Sequence, residues 1–195
     1  MGSLQLKVQL EAIKPEIWRT FQIDQTETCF DLHEILQIVM GWENAHLFEF
    51  QVKERKIGLL PDDEEMWETD ASLEDSESIM MIDLNFQEGD TFRYVYDFGD
   101  HWGHLLTVEK ILPDVETECP ICIGGTRNCP PEDCGGAAGY VDFLAALNDP
   151  KHPQHEEIID WIEEFDSEEF DAGETNEILQ EFNDWRQDLF LEEEE

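Results

Sequence analysis

A chain of 195 residues, 41% hydrophobic and 11% aromatic, suits a single domain with enough apolar material for a real core. Its 49 acidic residues against 11 basic ones give a formal net charge of −38, which repels phosphate backbones and argues against direct nucleic-acid binding through a basic patch. No stretch approaches the roughly 18–20 continuous apolar residues of a membrane helix, and no basic-apolar-small succession marks a secretory signal at the N-terminus, so no membrane association is expected and the expected compartment is the cytoplasm.

Leu4, Leu6, Val8 and Leu10 alternate with polar residues, the period of a half-buried strand. Pro15 marks a turn, and Ile17, Phe21 and Ile23 share the inner face of a second strand, with Arg19 as its odd member. Asp31 is placed to open a helix, with Glu34 as its capping-box partner. Leu32, Ile35, Leu36, Val39 and Met40 form its apolar stripe, and Gly41 supplies the left-handed stop. The segment 46–58 reads as a further strand and turn. His46 reads first as a packing residue and second as a ligand. Residues 61–78 are acidic and turn-rich, an exposed loop. A short apolar piece, 79–86, returns to the core.

TFRYVYD (91–97) and HLLTVEKIL (104–112) are strand candidates joined by the FGDHWG turn. Beyond Tyr140 the period becomes helical: Tyr140, Phe143, Leu144 and Leu147; Ile158, Trp161, Ile162 and Phe165; then Ile178, Leu179, Phe182, Trp185 and Leu189. NDPKH (148–152) and the region of Gly173 separate these segments. The chain reads as one domain over 1–190, followed by an acidic tail, 191–195, expected to be disordered.

Four of the five cysteines fall close together as C-x2-C-x6-C-x4-C: Cys119, Cys122, Cys129 and Cys134. The fifth, Cys29, reads as a small buried residue. In a cytosolic chain such a cluster suggests metal or redox chemistry rather than a disulfide framework. Four thiolates can close a tetrahedral zinc site, and the two-residue spacing of the first pair is a usual zinc half-site. The second pair is less regular; Pro130 and Pro131 stiffen it, and Gly135 with Gly136 allow a tight turn. His101 and His104 are alternative ligands if this loop folds back over the FGDHWG hairpin. The competing reading is a rigid loop whose thiols merely pack.

Five phrases in order resemble the plasmid ORF-3-like family, described from a root-inducing plasmid and also met as transposon passengers. They are LKVQLEAIKPEIWRTFQI (6–23), DLHEILQIVMGWENAHLFEF (31–50), YVYDFGDHWGH (94–104), CPPEDCGGAAGY (129–140) and FDSEEFDAGETNEIL (165–179). The resemblance implies a small α+β fold with a mixed β-sheet and packed helices; with the periodicities above, the expected fold is α+β, a mixed, mainly antiparallel β-sheet with an N-terminal ββα unit and packed C-terminal helices. The resemblance implies no assigned activity. A resolvase-like label used for some members fits poorly with a chain short of Ser and Arg and carrying a large negative field. The matched positions able to carry function are Asp97, Gly99, Asp100, Trp102 and His104, then Cys129 through Gly136.

No P-loop, GxSxG, HExxH or dinucleotide fingerprint is present. The expectation is therefore a cytosolic interaction or regulatory module, with a candidate structural zinc at the Cys loop and a partner protein of basic surface. The alternative is a metal-dependent hydrolase, with Cys122, Cys129, Cys134 and His104 near the metal. Asp97, Asp100 and His104 are its catalytic candidates, and Glu132 and Asp133 are further acid/base groups. A third reading is an acidic mimic of nucleic acid.

Overall fold

The computed structural model describes residues 2–60, 72–113, 120–162 and 164–193, with side chains to 188. Cys119 and most of the acidic segment 61–78 lie outside these residues. Alternation builds the first hairpin: β1 (Ser3–Leu10) buries Leu4, Leu6, Val8 and Leu10, and β2 (Trp18–Asp24) pairs with it antiparallel, Leu6 facing Phe21. Helix α1 (Cys29–Met40) follows. Its cap is Thr28, three residues before the expected Asp31: Thr28 Oγ1 accepts from the Asp31 amide at 3.0 Å, and the Asp31 carboxylate accepts from the Thr28 amide at 2.7 Å. Asp31 is thus the distal half of the capping box rather than its start. Gly41, at φ +86°, ends the helix in the left-handed region.

The chain continues through β3 (Phe48–Val52), β4 (Arg55–Gly58), β5 (Leu73–Asp75), a 3-10 turn (Met81–Leu84), β6 (Thr91–Tyr96), β7 (Trp102–Leu112) and β8 (Ile121–Thr126). Helices α2 (Gly136–Asn148), α3 (His155–Trp161) and α4 (Ala172–Glu193) complete it. Among the described residues the strands form one eight-stranded sheet in the order β5-β4-β3-β6-β7-β1-β2-β8. Only the β4–β5 pairing is parallel. The fold is therefore α+β with a mainly antiparallel sheet, and its first three elements are a ββα unit. Among these residues no helix is long and apolar enough to cross a membrane.

Three local readings shift. Leu73–Asp75, expected in a loop, adds a parallel edge strand beside β4. The first half of the Cys-rich segment is also a strand, with Cys122 opposite Phe21. Helix α4 runs to Glu193, into the residues expected to be disordered, because Leu and Glu are good helix formers.

Arg19 is the exception on the inner face of β2. It is 2% exposed, and its guanidinium donates to the carbonyls of Trp18, Val39, Thr126 and Arg127 at 2.8–2.9 Å while lying 4.0 Å from the Phe170 ring centroid. One side chain thereby ties β2 to the end of α1 and to the chain leaving β8. The five donors in a planar fork suit arginine to this task and lysine poorly. Helix α4 is fixed at two points. Asn176 accepts from the Cys122 amide at 2.7 Å and donates to its carbonyl at 2.9 Å. Arg186 pairs with Glu27 and Asp31 at 2.8 and 3.0 Å.

Candidate metal centre

The register of the sheet decides which loops meet. Phe48 pairs with Tyr96, and Tyr96 with Trp102, so the segment before β3 and the FGDHWG turn emerge at the same end. The Asp97 amide donates to the Leu47 carbonyl at 2.9 Å, extending this pairing by one residue. The CPPEDC loop then closes over both. Trp42 Nε1 donates to the Pro130 carbonyl at 3.0 Å, and the indole stacks on Tyr96 with centroids 5.1 Å apart. The Gly135 amide donates to Asp100 Oδ2 at 2.9 Å. Gly136 is required here: it has φ +68°, and any Cβ would collide with the Asp100 carbonyl.

At this junction His46 Nε2 faces three carboxylates: Asp133 Oδ1 at 3.3 Å, Glu132 Oε2 at 3.7 Å and Asp97 Oδ2 at 3.8 Å. Ligand atoms of His46, Asp97 and Asp133 lie within 4.8 Å of one another. His46 Nε2 and Glu132 Oε2 are shielded from solvent, and among the described residues neither makes a hydrogen bond. The opposite atoms of the carboxylates are anchored. Glu132 Oε1 accepts from the Glu43 amide and the Tyr96 hydroxyl, both at 3.0 Å, and Asp97 Oδ1 accepts from the Gly99 amide at 2.8 Å. Tyr96 in turn accepts from the Ala45 amide at 2.9 Å. Each of these two acids thus has one oxygen held by protein donors and the other left facing the imidazole.

Two donors bound to one ion at about 2.0–2.2 Å stand roughly 3.0–3.5 Å apart; the His46–carboxylate spacings of 3.3–3.8 Å are close to this, and the group within 4.8 Å is His46, Asp97 and Asp133, with Glu132 beside it. The backbone is also constrained here. Asn44, Asp97, His101 and Asp133 all have φ between +53° and +57°, a region that Asn, Asp and His enter more readily than most residues but still at a cost of about 1 kcal/mol or more. The Asp133 side chain is 75% exposed, against 29% for His46, so one side of the cluster faces water.

The sequence-predicted residues distribute unevenly around this centre. Asp97, Glu132 and Asp133 belong to it. Asp100 instead holds the Gly135 amide, and His101 sits exposed in the turn, its amide bonded to the Asp97 carbonyl at 2.6 Å. His104 is fully buried in the sheet, Nδ1 3.3 Å from the Tyr94 carbonyl, and burial lowers its pKa to about 4. The described cysteines of the loop differ in their nearest contacts. Cys122 Sγ lies 3.8 Å from the Thr20 carbonyl. Cys129 Sγ lies 3.9 Å from Met40 Sδ and 3.7 Å from Arg19, with burial pushing its thiol up to about 11. Burial and the nearby acids push Cys134 to about 12. Among the described residues the metal-type cluster contains none of these thiols. His46 is the member that sequence spacing ranked low, since its partners lie far along the chain.

The same architecture recurs in other proteins. A family model described as plasmid pRiA4b ORF-3-like protein matches residues 2–174. Uncharacterized protein y4hQ of Sinorhizobium fredii (strain NBRC 101917 / NGR234) is 37% identical over 173 residues, spanning 89% of this chain and 86% of that one. A crystal structure of the protein of unknown function MM3350 from Methanosarcina mazei Go1 aligns with a TM-score of 0.76 and 35% identity, over 89% of this chain and 97% of that chain. The match to the family model covers both the FGDHWG turn and the CPPEDC loop, and the chain belongs to the plasmid pRiA4b ORF-3-like protein family.

Proposed function

We propose that this chain is a divalent-metal-binding module in which His46, Asp97, Glu132 and Asp133 hold the ion and join the FGDHWG turn to the CPPEDC loop. The observation that carries this reading is the pair of shielded atoms, His46 Nε2 and Glu132 Oε2, 3.7 Å apart and without a hydrogen bond among the described residues, with the carboxylates of Asp97 and Asp133 beside them. Native proteins rarely leave such atoms without a partner, and three acids crowding one imidazole repel one another until a cation joins them. One imidazole with carboxylates is a mixed donor set suited to zinc or manganese. The Glu43 amide and Tyr96 hydroxyl on Glu132, and the Gly99 amide on Asp97, hold the far oxygens of these carboxylates and orient them as the groups behind metal ligands do. A metal joining two surface segments shapes a recognition surface, and the net charge of −38 makes a protein of basic surface its natural partner.

Elemental analysis of untagged protein after metal-replete expression tests the site. The expected result is close to one equivalent in wild type and in Cys122→Ser, with loss in Asp97→Asn. Less than about one-tenth equivalent in wild type sinks the proposal, since a built site should be near full occupancy. Loss in Cys122→Ser or Cys134→Ser but not in Asp97→Asn moves the ion to the thiols instead.

Metal-dependent hydrolysis is a second reading, favoured by the exposure of Asp133, which leaves one side of the centre open to water; such a site would supply an activated water. Manganese-dependent turnover of a chromogenic ester or phosphodiester, lost in Asp97→Asn, is its signature. No turnover above the metal-only blank in the metal-loaded protein removes this reading.

A further inference from the structure

We infer that His33, which touches none of the proposed ligands, is the positioning residue of this centre, gripping the chain on both sides of His46; the inference rests on the metal reading above. His33 is 1% exposed on α1, one of the few polar side chains in the core. Its Nε2 lies 2.7 Å from Asn44 Oδ1, two residues before His46, and its ring stacks on Phe48, two residues after, with centroids 3.7 Å apart at 13°. The imidazole therefore holds the segment at residues 44 and 48 and leaves His46 as the crown of the span between.

The hydrogen bonds fix the tautomer. Asn44 Oδ1 can only accept, so Nε2 of the neutral ring carries the hydrogen and Nδ1 accepts the Tyr94 proton at 2.7 Å. Gln37 Nε2 donates to the same hydroxyl at 2.9 Å. Burial, lowering the His33 pKa to about 4, keeps this neutral form in place at pH 7. The other end of Gln37 accepts from the Asn44 amide at 3.0 Å, so side chain and main chain of Asn44 are both held by α1. Asn44 needs that support, because its φ of +56° is one that the free chain seldom adopts. The next amide, Ala45, bonds Tyr96, which also holds Glu132. A single network running from the buried His33 out to the surface thus sets the imidazole of His46 and the carboxylate of Glu132 in one frame. Outer residues of this kind change metal affinity about 10–100-fold when removed.

The test uses the full chain and Co2+, followed by its visible spectrum and by titration. His33→Phe keeps a ring on Phe48 and loses the donor to Asn44; a tenfold or greater loss of Co2+ affinity and an altered band pattern are expected. His33→Gln can still donate to Asn44 and should recover affinity to within about threefold of wild type. Asn44→Ala removes the acceptor from an exposed position and carries the test if His33→Phe does not fold. A folded His33→Phe or Asn44→Ala with wild-type affinity and spectrum overturns the inference. If wild type itself takes up no Co2+, the metal reading fails, and positioning is judged on metal-free protein by two-bond ring 1H–15N spectra of His46. One sharp ring state in wild type that becomes averaged in Asn44→Ala supports positioning; an unchanged His46 signal overturns it.

Discussion

Arg19 and the His46 cluster both gather charge away from the usual counter-charge, and they resolve it in opposite ways. Around Arg19 a buried cation has no carboxylate bonded to it among the described residues, yet four main-chain carbonyls and the Phe170 face satisfy it. Around His46 three carboxylates converge, yet the central nitrogen bonds none of them. The first is closed and contributes rigidity. The second leaves His46 Nε2 and Glu132 Oε2 without a hydrogen bond among the described residues, the contrast on which the proposed metal site rests.

The largest effect expected is at the closed region. Arg19→Ala strands several buried carbonyls and should cost about 4 kcal/mol, read as a lower urea midpoint without a changed slope. A loss below about 1 kcal/mol would mean that the nest is not the anchor it resembles. His104 stands between the two regions, with one ring nitrogen near a carbonyl and the other unbonded. Its pKa is lowered to about 4 by burial, against an unfolded value near 6.5, so the unfolded state takes up the proton first. The stabilisation from keeping this ring neutral is complete above pH 6.5 and is lost as pH falls toward 4. Between pH 7 and 4, wild type should lose roughly 3 kcal/mol relative to His104→Phe, as followed by denaturation at each pH. Equal pH slopes would show that the ring is not held neutral.

At the incomplete region, adding manganese at one hundred times its dissociation constant should stabilise wild type by about 2.7 kcal/mol. Chelator should reverse the rise in Tm, and Asp97→Asn should show neither effect. The smallest change belongs to Tyr96→Phe. It leaves the Ala45 amide without its acceptor and Glu132 with one donor fewer, for about 1 kcal/mol of stability and about tenfold in metal affinity. A Tyr96→Phe protein with full affinity would separate the tyrosine from the site.

Much of this fold was legible because its signals are local. Alternation along β1 and the apolar stripe of α1 state their own buried faces, and Gly41 marks its own stop. The capping register was missed because Asp31 is a good cap in isolation; only the structure shows that Thr28, paired with the Met80 backbone in an isolated bridge, is where the chain turns. At the centre, Asp97, Glu132 and Asp133 stood out as acid groups in two distinctive phrases. His46 did not, since nothing in its neighbours encodes a partner on the CPPEDC loop. Its placement depends on strand order, Phe48 beside Tyr96, which residue spacing cannot express. Arg19 was visible as an oddity on an apolar face, but its acceptors are main-chain atoms and have no sequence signature.

The two bonds between Asn176 and Cys122 bear on how the protein behaves among its own copies. β8 is the last strand of the sheet, with Ile121 and Ile123 exposed along it, the kind of border onto which another chain's strand can be templated. Asn176 offers the Cys122 amide and carbonyl the same acceptor and donor that a neighbouring strand would, so one helical side chain counterfeits a strand and closes the ladder there. The residue lies just past the end of the family match, at 174. Replacing that single amide, as in Asn176→Leu, is expected to raise concentration-dependent association, read by light scattering.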